Sequence, residues 1–162
     1  MNTRVGIGYD SHRYVAGRPL RIGGVTVPHT HGLMGHSDGD VALHALIDAL
    51  LGAAALGDIG QQFPDDDPQW RGMDSARLLK TVVDKLKAAG LVVGQVDITV
   101  IAERPKIGHM VGPMRAATAK ALGVDQGAVS LKAKTNEGMG WLGRGEGIAA
   151  VAVATVHQAA TG

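Results

Sequence analysis

The sequence predicts an α+β (mixed α/β) fold, with a small mixed sheet of about four strands covered by helices on one face. Strand and helix patterns alternate only in the second half of the chain, while the first half combines short strands with one long apolar helix. The last strand pattern, residues 148–154, is apolar on both faces. Because helices on one side would leave the other apolar face uncovered, this strand also favours an oligomer.

The first part of the chain predicts strands and a loop. Residues 4–9 alternate in polarity and predict a strand that ends near Asp10. One face of this strand would carry Val5, Ile7 and Tyr9. Residues 20–27 predict one or two short strands that turn at a pair of glycines, and the polar, glycine-containing residues 29–37 predict a loop.

A long apolar segment follows and predicts the first helix. It covers residues 38–56, with Ser37 or Asp38 as the N-cap and Gly57 after its end. Residues 58–73 contain prolines and many charges, which predicts an exposed loop.

The second half of the chain predicts two more helices and three more strands. Asp74 begins a helix that runs to residue 89, and a strand follows over residues 91–102. A third helix covers residues 109–122. Residues 128–135 and 147–156 predict the remaining strands.

Composition limits the class of protein. Sixteen basic and fifteen acidic residues give a formal net charge of +1, which argues against a nucleic-acid-binding surface. The chain has no cysteine, so disulfides and thiolate zinc sites are excluded. No apolar run approaches the roughly 20 residues that span a bilayer, and the N-terminus lacks the apolar core of a signal peptide. We expect a single domain over residues 1–162, located in the cytoplasm and bound to no membrane.

Three residues form a candidate metal site. Asp10 and His12 stand at i and i+2 of a predicted strand, so their side chains point to the same side. His44, on the predicted apolar helix, supplies a third ligand. Gly6 and Gly8 lie upstream on the same strand face and would leave space beside the ion.

The types of ligand limit the possible metals but do not identify a single one. Two histidines and one carboxylate leave an open coordination position, as in catalytic zinc sites. Non-haem iron(II) uses the same set. The alternative is that His12 is a surface loop residue and that His44 is hydrogen-bonded to Asp40 or Asp48.

Two polar segments are suited to phosphate. Residues 36–40 precede a helix, where free N–H groups attract anions and His36 could add hydrogen bonds; the alternative is an ordinary helix cap. Residues 132–137 run from a strand into a glycine-rich turn, where Glu137 could hold a cation that bridges phosphates. Arg144 could bind phosphate with two hydrogen bonds. The alternative for this second segment is a hairpin with exposed charges.

Taken together, these segments resemble the cyclodiphosphate synthase family of the non-mevalonate isoprenoid pathway. The resemblance extends in order over nearly the whole chain, and residues 36–60 form its most specific part. It is carried by Gly8-Tyr9-Asp10-Ser11-His12, Ile22-Gly23-Gly24-Val25, and residues 36–45, 48–60, 63–65, 132–137 and 143–147.

The resemblance implies a role for individual residues. It implies zinc, or another divalent transition metal, on Asp10, His12 and His44, and Mg²⁺ or Mn²⁺ on Glu137. It implies that His36 and Thr135 stabilise the transition state. The implied contacts to the erythritol and phosphate part are Ser37, Asp58, Ile59 and Gly60, covered by a mobile loop of Phe63, Pro64, Asp65, Asp66 and Asp67. The implied cytidine pocket comprises Ala102, Pro105, Lys106, Ile107 and Gly108, continued from a neighbouring subunit by Lys134 and Asn136. The other predicted substrate contacts are Ala133, Trp141 and Arg144.

The resemblance also implies a reaction and an assembly. A 2-phosphate oxygen of a cytidine-diphosphate-linked substrate would attack the β-phosphorus and expel CMP, with no general base because the attacking phosphate is already ionised. The family is a homotrimer with active sites between subunits. Two alternatives stay open: a metal-dependent nucleotide pyrophosphatase, which would direct water at the phosphorus, and a trimeric binding protein that senses nucleotides or isoprenoid diphosphates.

The sequence departs from the common family pattern at a few positions. Trp141 stands where Phe or Tyr is usual, and Gly138 where Lys is frequent. Glu103-Arg104-Pro105-Lys106 replaces a more neutral loop before the same Pro-Lys pair. None of these positions carries a predicted metal ligand.

Overall fold

A computed structural model describes residues 2–160 of the chain. Its strands and helices alternate irregularly, with the short elements concentrated in the first half and three 3-10 turns in the loops. In chain order the elements are β1 (Thr3–Ala16), β2 (Leu20–Ile22), β3 (Val25–Val27), β4 (His31–Leu33), α1 (Val41–Ala54), α2 (Ile59–Gln62), α3 (Ser75–Ala88), β5 (Leu91–Ile101), α4 (Val111–Leu122), β6 (Val129–Lys134), α5 (Gly140–Gly143) and β7 (Gly147–Gln158).

The main sheet has five strands in the order β4-β1-β7-β5-β6, and β2 and β3 form a separate hairpin. Strands β5 and β6 pair in parallel, whereas β1 with β7 and β5 with β7 pair antiparallel, so the sheet is mixed as predicted. The predicted number of about four strands is one too low, because β4 lies within residues 29–37, which we expected to form a loop. This strand is only three residues long and pairs with the last part of β1, from Tyr14 to Ala16. A pairing partner so distant in sequence leaves no local pattern.

Strand β1 is longer than its predicted span and continues to Ala16. Asp10 and His12 therefore lie inside the strand rather than at its end, where they pair with Ala150 and Ile148 of β7. The backbone of both residues is held on one side by the neighbouring strand, so their side chains project from a rigid element.

Helix α1 begins at Val41, and the prediction of Ser37 or Asp38 as its N-cap is wrong. Asp40 caps the helix: its carboxylate accepts the N–H of Leu43 and also those of Gly23 and Gly24 in the β2–β3 turn. Nearly all of α1 is buried, because the sheet covers one side and α3 packs on the other. Burial on all sides accounts for its almost uniformly apolar sequence.

The glycines of β1 bring the helix and the sheet into contact. A Cβ atom at Gly6 would stand 1.9 Å from the Ala49 carbonyl oxygen, and one at Gly8 would stand 1.9 Å from that of Ala45. The expectation that these glycines leave space for a ligand is wrong, because the backbone of α1 fills that space. The close approach sets the helix at the depth that brings His44 beside the strand.

The region between α1 and α3 is more ordered than the predicted loop. It contains α2 and a 3-10 turn over Pro68–Trp70. Phe63 is buried and meets the Trp70 ring edge-on, with 4.9 Å between ring centroids. The prediction of exposed charges holds for Asp65 and Asp66, whereas the aromatic pair anchors the segment to the core.

The remaining elements lie within a few residues of their predicted bounds. Asp74 caps α3, and Gly123 ends α4 in a left-handed conformation with a φ of 70°. The predicted glycine-rich turn before β7 contains the short helix α5. Leu79, Leu86 and Ile98 belong to one hydrophobic core between the helices and one face of the sheet.

The opposite face of the sheet is apolar and exposed. Because Gly6 and Gly8 face α1, the alternating residues Val5, Ile7 and Tyr9 face away from it, with exposed fractions of 64%, 71% and 56%. Val153 of β7, which pairs with Ile7, is also exposed on this side. Within residues 2–160, no helix combines the length and the apolar character needed to cross a bilayer.

Candidate active site

Three side chains from β1 and α1 converge at one point. Nε2 of His12 lies 2.7 Å from Oδ2 of Asp10, and Nδ1 of His44 lies 3.1 Å from the same oxygen. The two ring nitrogens are 3.2 Å apart. Two nitrogen atoms and one oxygen therefore form a compact triangle at the edge of the buried helix.

The size of this triangle fits a metal ion. Ligand bonds of about 2.0–2.1 Å in tetrahedral geometry place neighbouring ligand atoms roughly 3.3 Å apart. The two separations that involve His44, 3.1 and 3.2 Å, are close to that value, and the 2.7 Å between His12 and Asp10 is a hydrogen-bond length that a metal would widen. The donor set of two imidazoles and one carboxylate suits a divalent transition metal and leaves one coordination position for another ligand. Asp10, His12 and His44 can thus hold a divalent metal.

Electrostatics keeps the carboxylate ionised. Burial disfavours the charge of Asp10, but hydrogen bonds from His12 and His44 and attraction to both rings outweigh it and lower the pKa to about 2. For His12, burial favours the neutral ring, yet the hydrogen bond to Asp10 and its charge raise the pKa above the usual value. A metal at this position would replace the proton that the cluster otherwise attracts.

A hydrogen-bonded chain fixes the orientation of His44. The Ser75 hydroxyl donates to Asp38, so its oxygen accepts the hydrogen from Nε2 of His44 at 2.8 Å. The Ser37 hydroxyl also lies 2.9 Å from Nε2. With a metal bound, the Nδ1 lone pair would face the ion while Nε2–H stays bonded to the serine hydroxyls. The alternative, in which His44 bonds to Asp40 or Asp48, is wrong: Asp40 caps α1, and Asp48 accepts the N–H of Ile59.

The metal triad lies in a pocket with a volume of about 230 Å³. Its lining combines the triad with the loop before α1 and the segment between α1 and α3. Of the other predicted site residues, the lining includes His36, Ser37, Ile59, Gly60, Phe63 and Asp65. His36 reaches across the mouth, where its Nε2 stands 3.5 Å from an Asp65 carboxylate oxygen.

Four other residues predicted to contact the erythritol and phosphate part do not line the metal pocket: Asp58, Pro64, Asp66 and Asp67. The Asp58 and Asp67 carboxylates accept backbone N–H groups, at Gln61 and Gln69 respectively, and so cap the short helical turns of this segment. Pro64 and Asp66 are exposed and do not line the pocket. These residues shape the segment that borders the pocket.

The predicted nucleotide residues form a second group, and none of them lines the metal pocket of the same chain in the part that the structure describes. They follow the ends of the parallel strands β5 and β6, whose carboxyl ends share one edge of the sheet. Pro105 is half-buried, and Lys106 and Gly108 are exposed, but the side chains of Ala102 and Ile107 pack into the core. Ala133, Lys134, Thr135, Asn136 and Glu137 lie at the end of β6 and in the loop beyond it.

Trp141 lies in α5, and Arg144 follows directly after this helix. Trp141 lines a separate cavity of about 540 Å³ between β1 and the α5 region, together with Arg13, Tyr14 and Glu146. Nε of Arg144 donates to the Glu146 carboxylate at 2.8 Å. The metal ligand His12 also lines this second cavity, so Trp141 borders a cavity that reaches one member of the triad, whereas Arg144 belongs to neither lining.

Several residues of the site lie outside the predicted set. Gly35, Trp70, Arg71 and Leu78 also line the metal pocket. Ser75 orients His44 although it stands 31 positions away in the sequence. A basic residue beside the segment of residues 63–67 could have suggested Arg71, but nothing local distinguishes Ser75 from an ordinary residue at the start of a helix.

Comparisons with known proteins identify relatives over nearly the whole chain. Residues 3–157 match the model of the YgbB family. A protein from Bordetella petrii, named 2-C-methyl-D-erythritol 2,4-cyclodiphosphate synthase, is 61% identical over 156 residues, which are 96% of this chain and 96% of that protein.

Solved structures show the same similarity. One 2C-methyl-D-erythritol-2,4-cyclodiphosphate synthase, in a form bound to CDP, superposes with a TM-score of 0.87 at 38% identity, over 95% of this chain and all of that one. The bifunctional IspDF from Campylobacter jejuni superposes with a TM-score of 0.93 at 39% identity. The match to IspDF covers 97% of this chain but 42% of that longer one.

Proposed function

The chain belongs to the YgbB family, and from this premise we propose that its metal pocket is the active site of a cyclodiphosphate synthase. The enzyme is a phosphorus–oxygen lyase of the non-mevalonate (MEP) pathway to isoprenoids. It converts 4-diphosphocytidyl-2-C-methyl-D-erythritol 2-phosphate into 2-C-methyl-D-erythritol 2,4-cyclodiphosphate and releases CMP. The observation that carries the proposal is the convergence of Asp10, His12 and His44 in a pocket that His36 and Ser37 also line.

The metal ligands act as a rigid support. Zinc held by Asp10, His12 and His44 would supply Lewis-acid polarisation of the β-phosphate. The orientation of His44 is fixed through Ser75, and Asp10 and His12 project from the paired strand β1. Such support keeps the ligand atoms in place while the substrate folds.

The remaining groups orient the substrate and stabilise developing charge. His36 and Thr135 donate hydrogen bonds to the phosphoryl oxygens in the transition state. Glu137 would hold Mg²⁺ or Mn²⁺, which would supply neutralisation of the diphosphate charge. Holding the 2-phosphate against the β-phosphorus supplies the proximity that an intramolecular attack requires.

Two surfaces hold the substrate. Its erythritol and phosphate part contacts Ser37, the backbone of residues 58–60 and the segment over residues 63–67. The cytidine part contacts residues 102–108 together with Ala133, Lys134 and Asn136, while Trp141 and Arg144 make further contacts. Because the second surface lies outside the metal pocket of its own chain, it completes the pocket of a neighbouring subunit.

We propose a homotrimer of single-domain chains on the same basis. The exposed apolar residues Val5, Ile7, Tyr9 and Val153 lie together on the sheet face that carries no helix. A patch of this kind is typical of a subunit interface. Packing three such faces around an axis would remove them from water and bring each nucleotide surface to another subunit's metal pocket.

The pyrophosphatase is the alternative that uses the same ligands, and the source of the attacking oxygen separates the two reactions. Turnover of the substrate in oxygen-18 water with zinc and magnesium should give unlabelled CMP and a cyclic diphosphate whose mass is that of the substrate minus CMP. Mass spectrometry detects the label directly. One solvent oxygen per turnover would establish hydrolysis and refute the proposed cyclisation.

Substitution of Phe63 tests whether the metal pocket excludes water during the reaction. Phe63 is 5% exposed and packs against Trp70 beside the pocket. Phe63→Ala should slow cyclisation and increase the labelled fraction, because the cavity opens to water. Phe63→Leu keeps most of the apolar volume and is the matched control. If both variants show the rate and the labelled fraction of the wild type, Phe63 has no part in excluding water.

A further inference from the structure

Glu103 joins the two loops that follow β5 and β6. One of its oxygens, Oε1, accepts the backbone N–H of Asn136 at 2.7 Å and that of Gly138 at 3.2 Å. The carboxylate belongs to the loop after β5, whereas both donors belong to the loop after β6. The two amides stand on either side of Glu137, the proposed magnesium ligand.

The loop after β6 presents three successive N–H groups. The middle one, from Glu137, donates to Oγ1 of Thr135 at 3.3 Å. Glu137 has a φ of 54° and Gly138 a φ of 74°, both in the left-handed region. The amides of Asn136 and Gly138 converge on Oε1 of Glu103, and converging amides of a turn form a concave anion-binding nest, which the Glu103 carboxylate occupies here.

The conformation of Glu137 needs support from outside its own loop. Ala55 and Glu137 are the only residues other than glycine with positive φ among residues 2–160. A left-handed conformation is unfavourable for a residue with a Cβ and persists where surrounding contacts hold it. The two hydrogen bonds to Glu103 provide that hold, and Asn136 adds a bond from its side chain to the Met139 carbonyl at 2.8 Å.

We propose that Glu103 is a positioning residue for the cyclisation: by accepting these two amides it sets the orientation of Thr135 and Glu137 toward the nucleotide diphosphate. The inference rests on the proposed function, since it concerns residues to which that function gives roles. It also gives a role to Glu103, which lies in the segment Glu103-Arg104-Pro105-Lys106 that replaces the more neutral loop of the common family pattern.

Two substitutions separate hydrogen bonding from charge. Glu103→Gln retains a carbonyl oxygen that can accept both amides, whereas Glu103→Ala removes the acceptor. Steady-state kinetics should show kcat/KM lowered about 10- to 100-fold in the alanine variant, because a displaced catalytic group loses rate steeply. The half-saturating Mg²⁺ concentration should also rise, by roughly 5- to 10-fold, since Glu137 is no longer held. The glutamine variant should stay within about threefold of the wild type for both quantities.

Asp125→Ala is the matched control. Asp125 is an exposed acidic residue whose side chain makes no capping hydrogen bond, and removing it should change neither quantity. A glutamine variant as impaired as the alanine variant would overturn the inference, because it would show that Glu103 acts through its charge. Tighter nucleotide binding by the alanine variant would overturn it as well, because it would show that substrate phosphate competes for the nest.

Amide hydrogen exchange tests the two hydrogen bonds to Glu103 without any need for turnover. The amides of Asn136 and Gly138 should be protected in the wild type and in Glu103→Gln, and should lose about 10-fold or more of their protection in Glu103→Ala. Unchanged protection would refute the role of Glu103 even in an active cyclase. A wild-type protein that forms no cyclic product would instead refute the proposed function, and the exchange data would still decide whether Glu103 fixes the loop.

Discussion

At the scale of single residues, the site depends on how each ligand is held. His44 touches the metal position with Nδ1 and uses Nε2 to bind Ser37 and Ser75. Because both nitrogens have hydrogen-bonding neighbours, one ring orientation is favoured before any metal arrives. The side chain of His44 is buried, and its removal would leave the Asp10–His12 pair without its partner on α1.

His44→Ala should remove the metal and the activity while leaving the fold intact. Losing one of three protein ligands should weaken metal affinity by roughly 100-fold or more. Elemental analysis of the purified variant measures the metal, and far-UV circular dichroism measures the fold. The exposed His31, on the edge strand β4, gives the control variant His31→Ala, which should keep its metal. Full metal occupancy in His44→Ala would disprove the assignment of this ligand.

The environment of Tyr14 predicts that its hydroxyl titrates at unusually alkaline pH. Its hydroxyl donates to the Arg104 carbonyl, and burial raises its pKa to about 12. A folded-state pKa above the ordinary value of 10.0 means that the neutral phenol stabilises the fold fully below pH 10 and less as the pH rises toward 12. Ultraviolet titration should show a tyrosine component near pH 12 that is absent in Tyr14→Phe. A component that persists in that variant would show that Tyr14 is not its source.

At the scale of elements, the contact between β1 and α1 builds the metal site. Gly6 and Gly8 let the helix backbone approach the strand, and this places His44 opposite Asp10 and His12. Two ligands come from one strand at a spacing of two, so the sequence alone predicts their shared direction. The third ligand comes from another element, whose depth against the sheet is set by the glycines.

Gly8→Ala should therefore weaken both the fold and the metal site. The new methyl group would meet the Ala45 carbonyl, so the helix must move away, at a cost of about 1–3 kcal/mol in the free energy of unfolding. Urea unfolding measures the stability, and a zinc titration measures the affinity, which should fall. Gly112→Ala is the control, because Gly112 lies at the start of α4 with open space around it, and it should leave the zinc affinity unchanged. Unchanged zinc affinity in a destabilised Gly8→Ala would show that the helix depth does not set the site.

At the scale of the whole molecule, the two predicted halves of the active site lie apart in one chain. The metal triad lines one pocket, and Thr135 and Glu137 lie beyond it at the ends of β5 and β6. The apolar residues on the sheet face without helices offer the surface through which chains would associate. Association would therefore complete the site as well as cover the apolar face.

Ile7→Lys should dissociate the proposed trimer and abolish the cyclisation. The side chain of Ile7 is 71% exposed in the single chain, and a charge in the centre of an apolar interface costs far more than it does in water. Sedimentation velocity measures the assembly, and the turnover assay measures the activity. Asp84→Lys, on the exposed surface of α3, is the control and should remain a trimer. An active monomer of either variant would refute the shared active site.

The sequence alone determined the donor types, the spacing of Asp10 and His12, and most helix and strand positions, because these follow from local periodicity and from caps and turns within a few residues. It correctly placed α3, β5 and α4, whose apolar patterns are regular. Only the tertiary structure decided that Asp40 caps α1, that helix backbone fills the space beside Gly8, and that Glu103 binds the loop of Glu137. These features depend on hydrogen bonds and close contacts between residues distant in the chain, and such partners are chosen by the packing of whole elements.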